Sequence, residues 1–124
     1  MSHFSTVRVQ IKNGTVLHES LQDLGYKVAC NTRVRGYEGL HTEAEYVIRQ
    51  ANGYDLGFRQ AGDAYELVAD FWGAGINEAK FVQAVTQKYA HKMLLTTATA
   101  QGYSIETEEV LQDGTVRVVV GRWA

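Results

Sequence analysis

The chain has 124 residues, 45% of them apolar and 21% charged, which is enough for one domain with a buried core and excludes a disordered segment. Twelve basic and 14 acidic residues leave a formal net charge of -2, so no global attraction to a phosphate backbone or an anionic membrane is expected and such binding would need a local patch. The single cysteine, Cys30, excludes an internal disulfide and suits a reducing compartment, and no run approaches 18 apolar residues.

Phe4 to Lys12 alternates, with Val7, Val9 and Ile11 on one side and Thr6, Arg8 and Gln10 on the other, as a half-wet strand does. Asn13-Gly14 breaks it, Thr15 can cap, and Leu17, Leu21 and Leu24 recur at helical spacing until Gly25. Tyr26, Val28 and Cys30 begin a second strand that reaches Arg35 with a bend. Residues 36 to 43, with Gly36, Gly39 and His41, have no period and read as a long loop.

Glu45 to Gln50 and Tyr54 to Gln60 flank Asn52-Gly53, a hairpin signal, and Ala61-Gly62-Asp63 turns the chain into a further strand from Tyr65 to Phe71. Asn77 to Gly102 then reads as one helix, capped by Asn77 and stopped by Gly102. Its apolar stripe is Val82, Val85, Tyr89, Met93, Thr96 and Ala100. Ile105 to Leu111 and Val116 to Val120 flank Asp113-Gly114 as a last hairpin, with Trp123 beyond it. Leu24-Gly25-Tyr26 and Gln101-Gly102-Tyr103 both end a helix and start a strand, which suggests two strand–helix–strand units, 4 to 35 and 65 to 111. The expected fold is α+β over residues 1–124 as a single domain. A mostly antiparallel sheet of about six to seven strands carries one short and one long helix on one face, in a ferredoxin-like-related arrangement.

All seven arginines fall in or beside predicted strands, and alternation sends Arg8, Arg59 and Arg117 to the face away from the helices, with one of Arg33 and Arg35 beside them. Such a face could hold carboxylates or phosphates, since a guanidinium binds them with two parallel hydrogen bonds. The plainer reading is cross-strand pairing with Glu66, Asp55, Glu106 and Glu108. Phe71-Trp72-Gly73-Ala74-Gly75 precedes a helix as a dinucleotide fingerprint does, but Glu78 replaces the third glycine and would repel phosphate, so the glycines read as a turn with Phe71 or Trp72 closing the core. His3, His18, His41 and His91 show no metal-ligand spacing, and Cys30 lies on the apolar side of its strand, where a thiol packs inertly. The residues imply no cofactor and no metal. Of the seven tyrosines, Tyr26, Tyr65, Tyr89 and Tyr103 suit core positions, while Tyr37, Tyr46 and Tyr54 could stack on bases beside Arg35 or Arg49. The net charge argues against RNA as the partner.

Several stretches together resemble a known family: Met1-Ser2-His3-Phe4-Ser5, Val34-Arg35-Gly36-Tyr37, Asn52-Gly53-Tyr54-Asp55-Leu56-Gly57-Phe58, Tyr65 to Asp70, Phe81 to Ala90, and Asp113-Gly114 to Trp123. They are similar, in order along nearly the whole chain, to the hypothetical chloroplast reading frame thirty-five family of cyanobacteria and plastid genomes. The resemblance carries over no catalytic residue. It implies a soluble protein of an oxygenic phototroph, cytoplasmic in a cyanobacterium or stromal in a plastid, without membrane insertion.

The favoured functional expectation is a non-catalytic module that binds a partner protein through its open sheet face, the 36 to 43 loop and Trp72, with Arg35 and Arg59 contributing. The alternative is a small-molecule binder or enzyme for an anionic metabolite, nucleotide or tetrapyrrole, with Arg35, Tyr37, His41 and Arg49 around a pocket near residues 35–49. RNA binding is a further alternative, and a strand edge near Tyr46 or Val118 could support a homodimer.

Overall fold

The computed structural model describes residues 3–112 and 115–122. The elements are β1 (Ser5–Arg8), α1 (Gly14–Asp23), β2 (Val28–Arg35), a 3-10 turn at Tyr37–Gly39, β3 (His41–Ile48), β4 (Leu56–Ala61) and β5 (Ala64–Ala69). They continue with α2 (Phe71–Ala74), α3 (Glu78–Ala100), β6 (Tyr103–Val110) and β7 (Val116–Arg122). The turn at Asp113-Gly114, the start Met1-Ser2 and Trp123 lie outside the described residues.

β1 to β5 form one sheet in the order β1-β5-β4-β3-β2, with every neighbouring pair antiparallel. β6 and β7 pair only with each other in a separate antiparallel ribbon. The main sheet therefore has five strands rather than the six to seven expected. The difference lies in α3, whose 23 residues span roughly 35 Å at 1.5 Å each and carry the chain away from the sheet before it turns back. The ribbon packs on that helix, where His91 is paired with Glu108 of β6. The second strand–helix–strand unit accordingly never closes within one sheet, and the meander from β2 to β5 is not the order a ferredoxin-like relative would have.

Both longer helices cover one face, as the sequence suggested. Val16, Leu17 and Leu21 of α1 and Phe81, Val85 and Tyr89 of α3 are buried against Leu56 and Phe58 of β4 and Leu67 and Ala69 of β5. Asn13 rather than Thr15 caps α1, its side chain accepting from the Val16 N–H at 3.1 Å, and Asn77 caps α3 by accepting from Lys80 N–H at 3.0 Å. The left-handed Gly25 (φ 94°) and Gly102 (φ 83°) end the two helices. The buried stripe of α3 starts at Phe81 and finishes at Ala98; Thr96 and Ala100, expected inside, are exposed. Tyr89 is placed by more than packing: its hydroxyl accepts the backbone N–H of Lys12 at 3.2 Å and of Asn13 at 3.0 Å, so α3 satisfies donors at the entry to α1.

The other face is not bare. Val34, Ala44, Val47 and Val68 are buried there as a second cluster, with Phe4 packed against it. Val34 belongs to β2, two places from β4 and three from β5 in strand order, so it reaches Val68 only because the β2–β3 hairpin bends over the sheet. The bend falls at Asn31, a non-glycine residue with φ 51°, where the register skips the Asn31–Glu45 pair. β3 pairs with β4 only from Tyr46 to Ile48. Past that point Glu45 accepts the Gln60 N–H that the departing strand leaves unpaired. Gly57 makes the close approach possible, since a Cβ there would lie 2.4 Å from Val34 Cγ2.

A Gly57→Ala variant is expected to lose about 1–3 kcal/mol of unfolding free energy by overpacking. Combined with Val34→Ala, it should recover part of that loss. Urea denaturation of the two single variants and the double one would check this, and strictly additive losses would mean that the hairpin does not rest on β4.

Candidate functional site

The bent hairpin delivers the candidate site. β2 ends at Arg35 and β3 begins at His41, opposite it in register, so the expected 36 to 43 loop is a short connection: the 3-10 turn closed by Gly36 N–H donating to Leu40 O at 2.8 Å. The Asn52-Gly53 signal is real but its turn is longer than a two-residue hairpin, because Ile48 pairs with Leu56 and residues 49–55 loop between them. Within that loop Asn52 accepts from Tyr54 N–H at 3.0 Å and donates to Ala74 O at 3.1 Å, and Gln50 donates to Tyr54 O and Ala74 O. The loop is thus tied to α2.

At the meeting point of β2, this loop and β4 lies Asp55, whose side chain is 0% exposed. The sequence reading places it within the strand from Tyr54 to Gln60 as an exposed cross-strand partner of the arginines; in the structure it is buried and precedes β4. Arg35 donates from Nε to Oδ2 at 2.8 Å and from Nη2 to Oδ1 at 2.9 Å, a two-pronged pair. The backbone N–H of Arg35 also donates to Oδ2 at 2.9 Å and that of Gln50 to Oδ1 at 3.1 Å. Arg49 adds a longer contact from Nη1 at 3.4 Å and donates from Nη2 to Thr32 Oγ1 at 3.0 Å. Burial pushes the Asp55 carboxyl up, but the Arg35 side-chain bonds, the two backbone donors and the Arg35 charge outweigh it and hold the group below its ordinary value.

Above this pair is a cavity of about 460 Å³ lined by Arg33, Arg35, His41 and Arg49, with backbone walls at Gly36, Gly39 and Gly53 and Leu40 at the rim. Of the residues singled out from sequence, Arg35, His41 and Arg49 are therefore brought together. Tyr37 sits in the turn between two of the lining glycines and is 38% exposed. Arg59 lies elsewhere, paired with Glu66 Oε1 at 2.8 Å and donating to Thr42 Oγ1 at 3.1 Å. That is the cross-strand pairing considered as the plainer reading. Trp72 lies on α2, away from the cavity lining and 75% exposed, while Phe71 packs on the core; the helix leaves Trp72 in solvent instead of plugging the sheet end. Arg117 is in the ribbon beside Glu109 rather than on the sheet. Cys30 is exposed on the edge strand β2, contrary to the packed position expected. Tyr65 and Tyr89 are buried, and Tyr26, 36% exposed, sets its ring edge against Phe81.

Arg33, Asp55 and the glycine walls were not identified as a unit from sequence. Nothing local marks Asp55, since its partners stand 20 and 6 residues before it and meet it only through the bent hairpin. A larger groove of about 780 Å³ lies between β1 and the first turns of α3, with Val7, Ala79 and Val82 in its lining. Glu78 is its one charged lining residue, beside the neutral Asn77, Gln83, Thr86 and Gln87, so it has no cationic group to hold an anion. Among the described residues no three His, Cys, Asp or Glu side chains gather in a way that could hold a metal ion, and no helix is long and apolar enough to cross a membrane.

A family model described as "Protein of unknown function (DUF1257)" matches residues 20–119. The chain belongs to the DUF1257 family. The match spans the whole cavity and Asp55 and leaves β1 outside. Relatives include the uncharacterized protein ycf35 of Guillardia theta, 36% identical over 126 residues that cover 99% of this chain and 98% of that one. The ycf35 proteins of Cyanophora paradoxa and Pyropia yezoensis are 30% and 28% identical over the same shares. The resemblance noted from sequence is thus established for the DUF1257 chain as membership in the ycf35 group. No solved structure matches it.

Because the native Asp55 carboxyl titrates below the unfolded value of about 3.9, the unfolded chain binds more protons near that pH. The stability Asp55 contributes is present above about pH 4 and is lost as pH falls through the lower native value. Asp55→Asn should therefore unfold more easily at pH 7, by about 2–3 kcal/mol, and its deficit relative to the unaltered protein should shrink between pH 5 and pH 3. Urea midpoints across that range would check it; a deficit that does not change with pH contradicts the assignment.

Proposed function

We propose that the protein is a non-catalytic binding module whose cavity between the β2–β3 hairpin and the 49–55 loop captures an anionic small molecule. The observation that carries this reading is the gathering of three guanidinium groups on one concave wall of a chain whose net charge is -2. Arg35 is held rigid by Asp55, and Arg49 is steadied from its other side by Thr32, so ligand capture costs little side-chain ordering. Arginine suits the task because its planar fork matches carboxylate and phosphate oxygens. The open-face reading loses ground on the same evidence, since the hairpin covers part of that face and Glu66 already answers Arg59. The cytoplasm of a cyanobacterium or the stroma of a plastid, where phosphorylated and carboxylated metabolites are plentiful, is the setting proposed for it.

A thermal-shift series with small phosphates, carboxylates and nucleotides tests the reading. A ligand present at a hundred times its dissociation constant adds about 2.7 kcal/mol to stability, which raises the midpoint by several degrees. Arg49→Gln should abolish the shift, with circular dichroism showing that the variant is folded. A shift of equal size in Arg49→Gln would remove the cavity from consideration.

A second reading rests on Trp72, which is three-quarters exposed on the four-residue α2 beside the loop that walls the cavity. Exposed tryptophans anchor protein interfaces, so this corner is proposed as a contact for a partner protein, with the cavity ligand acting alongside. Elution of the protein in native extract as a larger species, reduced to monomer size by Trp72→Ala, is the expected result. Unchanged elution of that variant would count against it.

A further inference from the structure

Charge around the cavity does not balance. Arg33, Arg35 and Arg49 bring three positive charges to the lining and Asp55 brings one negative charge beneath them, which leaves a surplus of two. Both oxygens of Asp55 are occupied by four shorter donors and the Arg49 contact, so the carboxylate is spent on holding the wall. Arg35 uses Nε and Nη2 on Asp55 and on Gln50 O, and Arg49 gives its two ends to Asp55 and Thr32. The Arg33 guanidinium makes no hydrogen bond or ion pair among the described residues. Glu43 faces it across the β2–β3 ladder and Glu38 lies in the turn, but neither carboxylate lines the cavity.

From this arrangement, resting on the anion-binding reading above, we infer that the cavity selects a small molecule bearing two negative charges, as a phosphate monoester or a dicarboxylate, and that Arg33 sets this preference. A monoanion would leave one positive charge facing it unmatched, whereas a dianion neutralises the wall. The guanidinium of Arg33 keeps its whole fork for the ligand, while Arg35 and Arg49 serve as a pre-set floor. Backbone at Gly36, Gly39 and Gly53 presents no side chain to hold an anion away from the arginines. Leu40 is the one apolar side chain in the lining, so orientation of a ligand falls on the charged groups.

Calorimetric titration of the full chain at pH 8 and fixed ionic strength, with inorganic phosphate, succinate and acetate, tests the inference. Phosphate or succinate should bind at least tenfold more tightly than acetate. Tight phosphate with weak succinate assigns a phosphate monoester, and the reverse assigns a dicarboxylate. Arg33→Gln should weaken the dianion about tenfold and leave acetate within twofold, whereas Arg8→Gln, on the exposed strand β1, should change neither. Circular dichroism of Arg33→Gln establishes that it is folded. Acetate binding as tightly as the dianions, or a dianion affinity indifferent to Arg33→Gln, overturns the inference while leaving anion capture standing. Failure of all three anions to bind overturns the functional reading beneath it.

Discussion

A carboxylate shut away from water stays ionised only where other donors replace its hydration, and Asp55 receives such donors from two segments and joins them to a third. Arg35 brings the end of β2, Gln50 brings the loop after β3, and Asp55 itself begins the run into β4. The reciprocal bond from Asp55 N–H to Arg35 O at 3.0 Å fixes the same junction through backbone. Remove the carboxylate and two guanidinium groups lose the partner that aims them, while the loop that reaches α2 through Gln50 and Asn52 loses its inner anchor. The structural pair and the candidate site are therefore one object, with the buried side of each arginine serving the fold and the exposed side facing the cavity.

That object depends in turn on an unequal sandwich. One face of the sheet carries two helices and fifteen buried residues; the other carries a folded-over hairpin and four. The smaller cover exists because Asn31 accepts a left-handed backbone, because Gly57 lacks a side chain, and because Glu45 takes up the donor stranded when β3 parts from β4. Each is a local concession that a flat five-stranded sheet would not need, and together they curl β2 far enough to bring Arg33 and Arg35 against Arg49.

Much of the fold was legible because periodicity reports burial. Alternation at Tyr65 to Ala69 and at Leu56 and Phe58, and the three-and-four spacing from Val82 to Tyr89, correspond to β5, β4 and the inner face of α3. Asn77 and Gly102 marked the ends of that helix correctly. What periodicity cannot report is which strands meet. Val116 to Val120 reads as a strand of the main sheet, yet it pairs only with β6, and although a bend before Arg35 was expected, the alternation of β2 does not say that it turns the second half of the strand onto the opposite face. The cavity was half legible for the same reason. Arg35, His41 and Arg49 were grouped by their closeness to one connection, and the alternation of β2 puts Arg33 on the same side as Arg35, but Asp55 joins them through tertiary contacts that carry no mark in neighbouring residues. The sequence left Phe71 and Trp72 as alternatives for closing the core, because neighbouring aromatics at a strand end have the same signature; the structure gives that place to Phe71 and leaves Trp72 exposed.

The smaller cluster under the hairpin has a consequence for motion. Residues 32 to 44 are held to the sheet by Val34, Ala44, Val47, Val68 and Phe4, a far thinner layer of contacts than the one that fastens the helices. Segments with few buried apolar contacts open at a fraction of the global cost. Opening that side requires the Arg35–Asp55 bonds to part as well, so on the reading proposed above a ligand that keeps the arginines in place would tighten the more thinly packed half of the molecule.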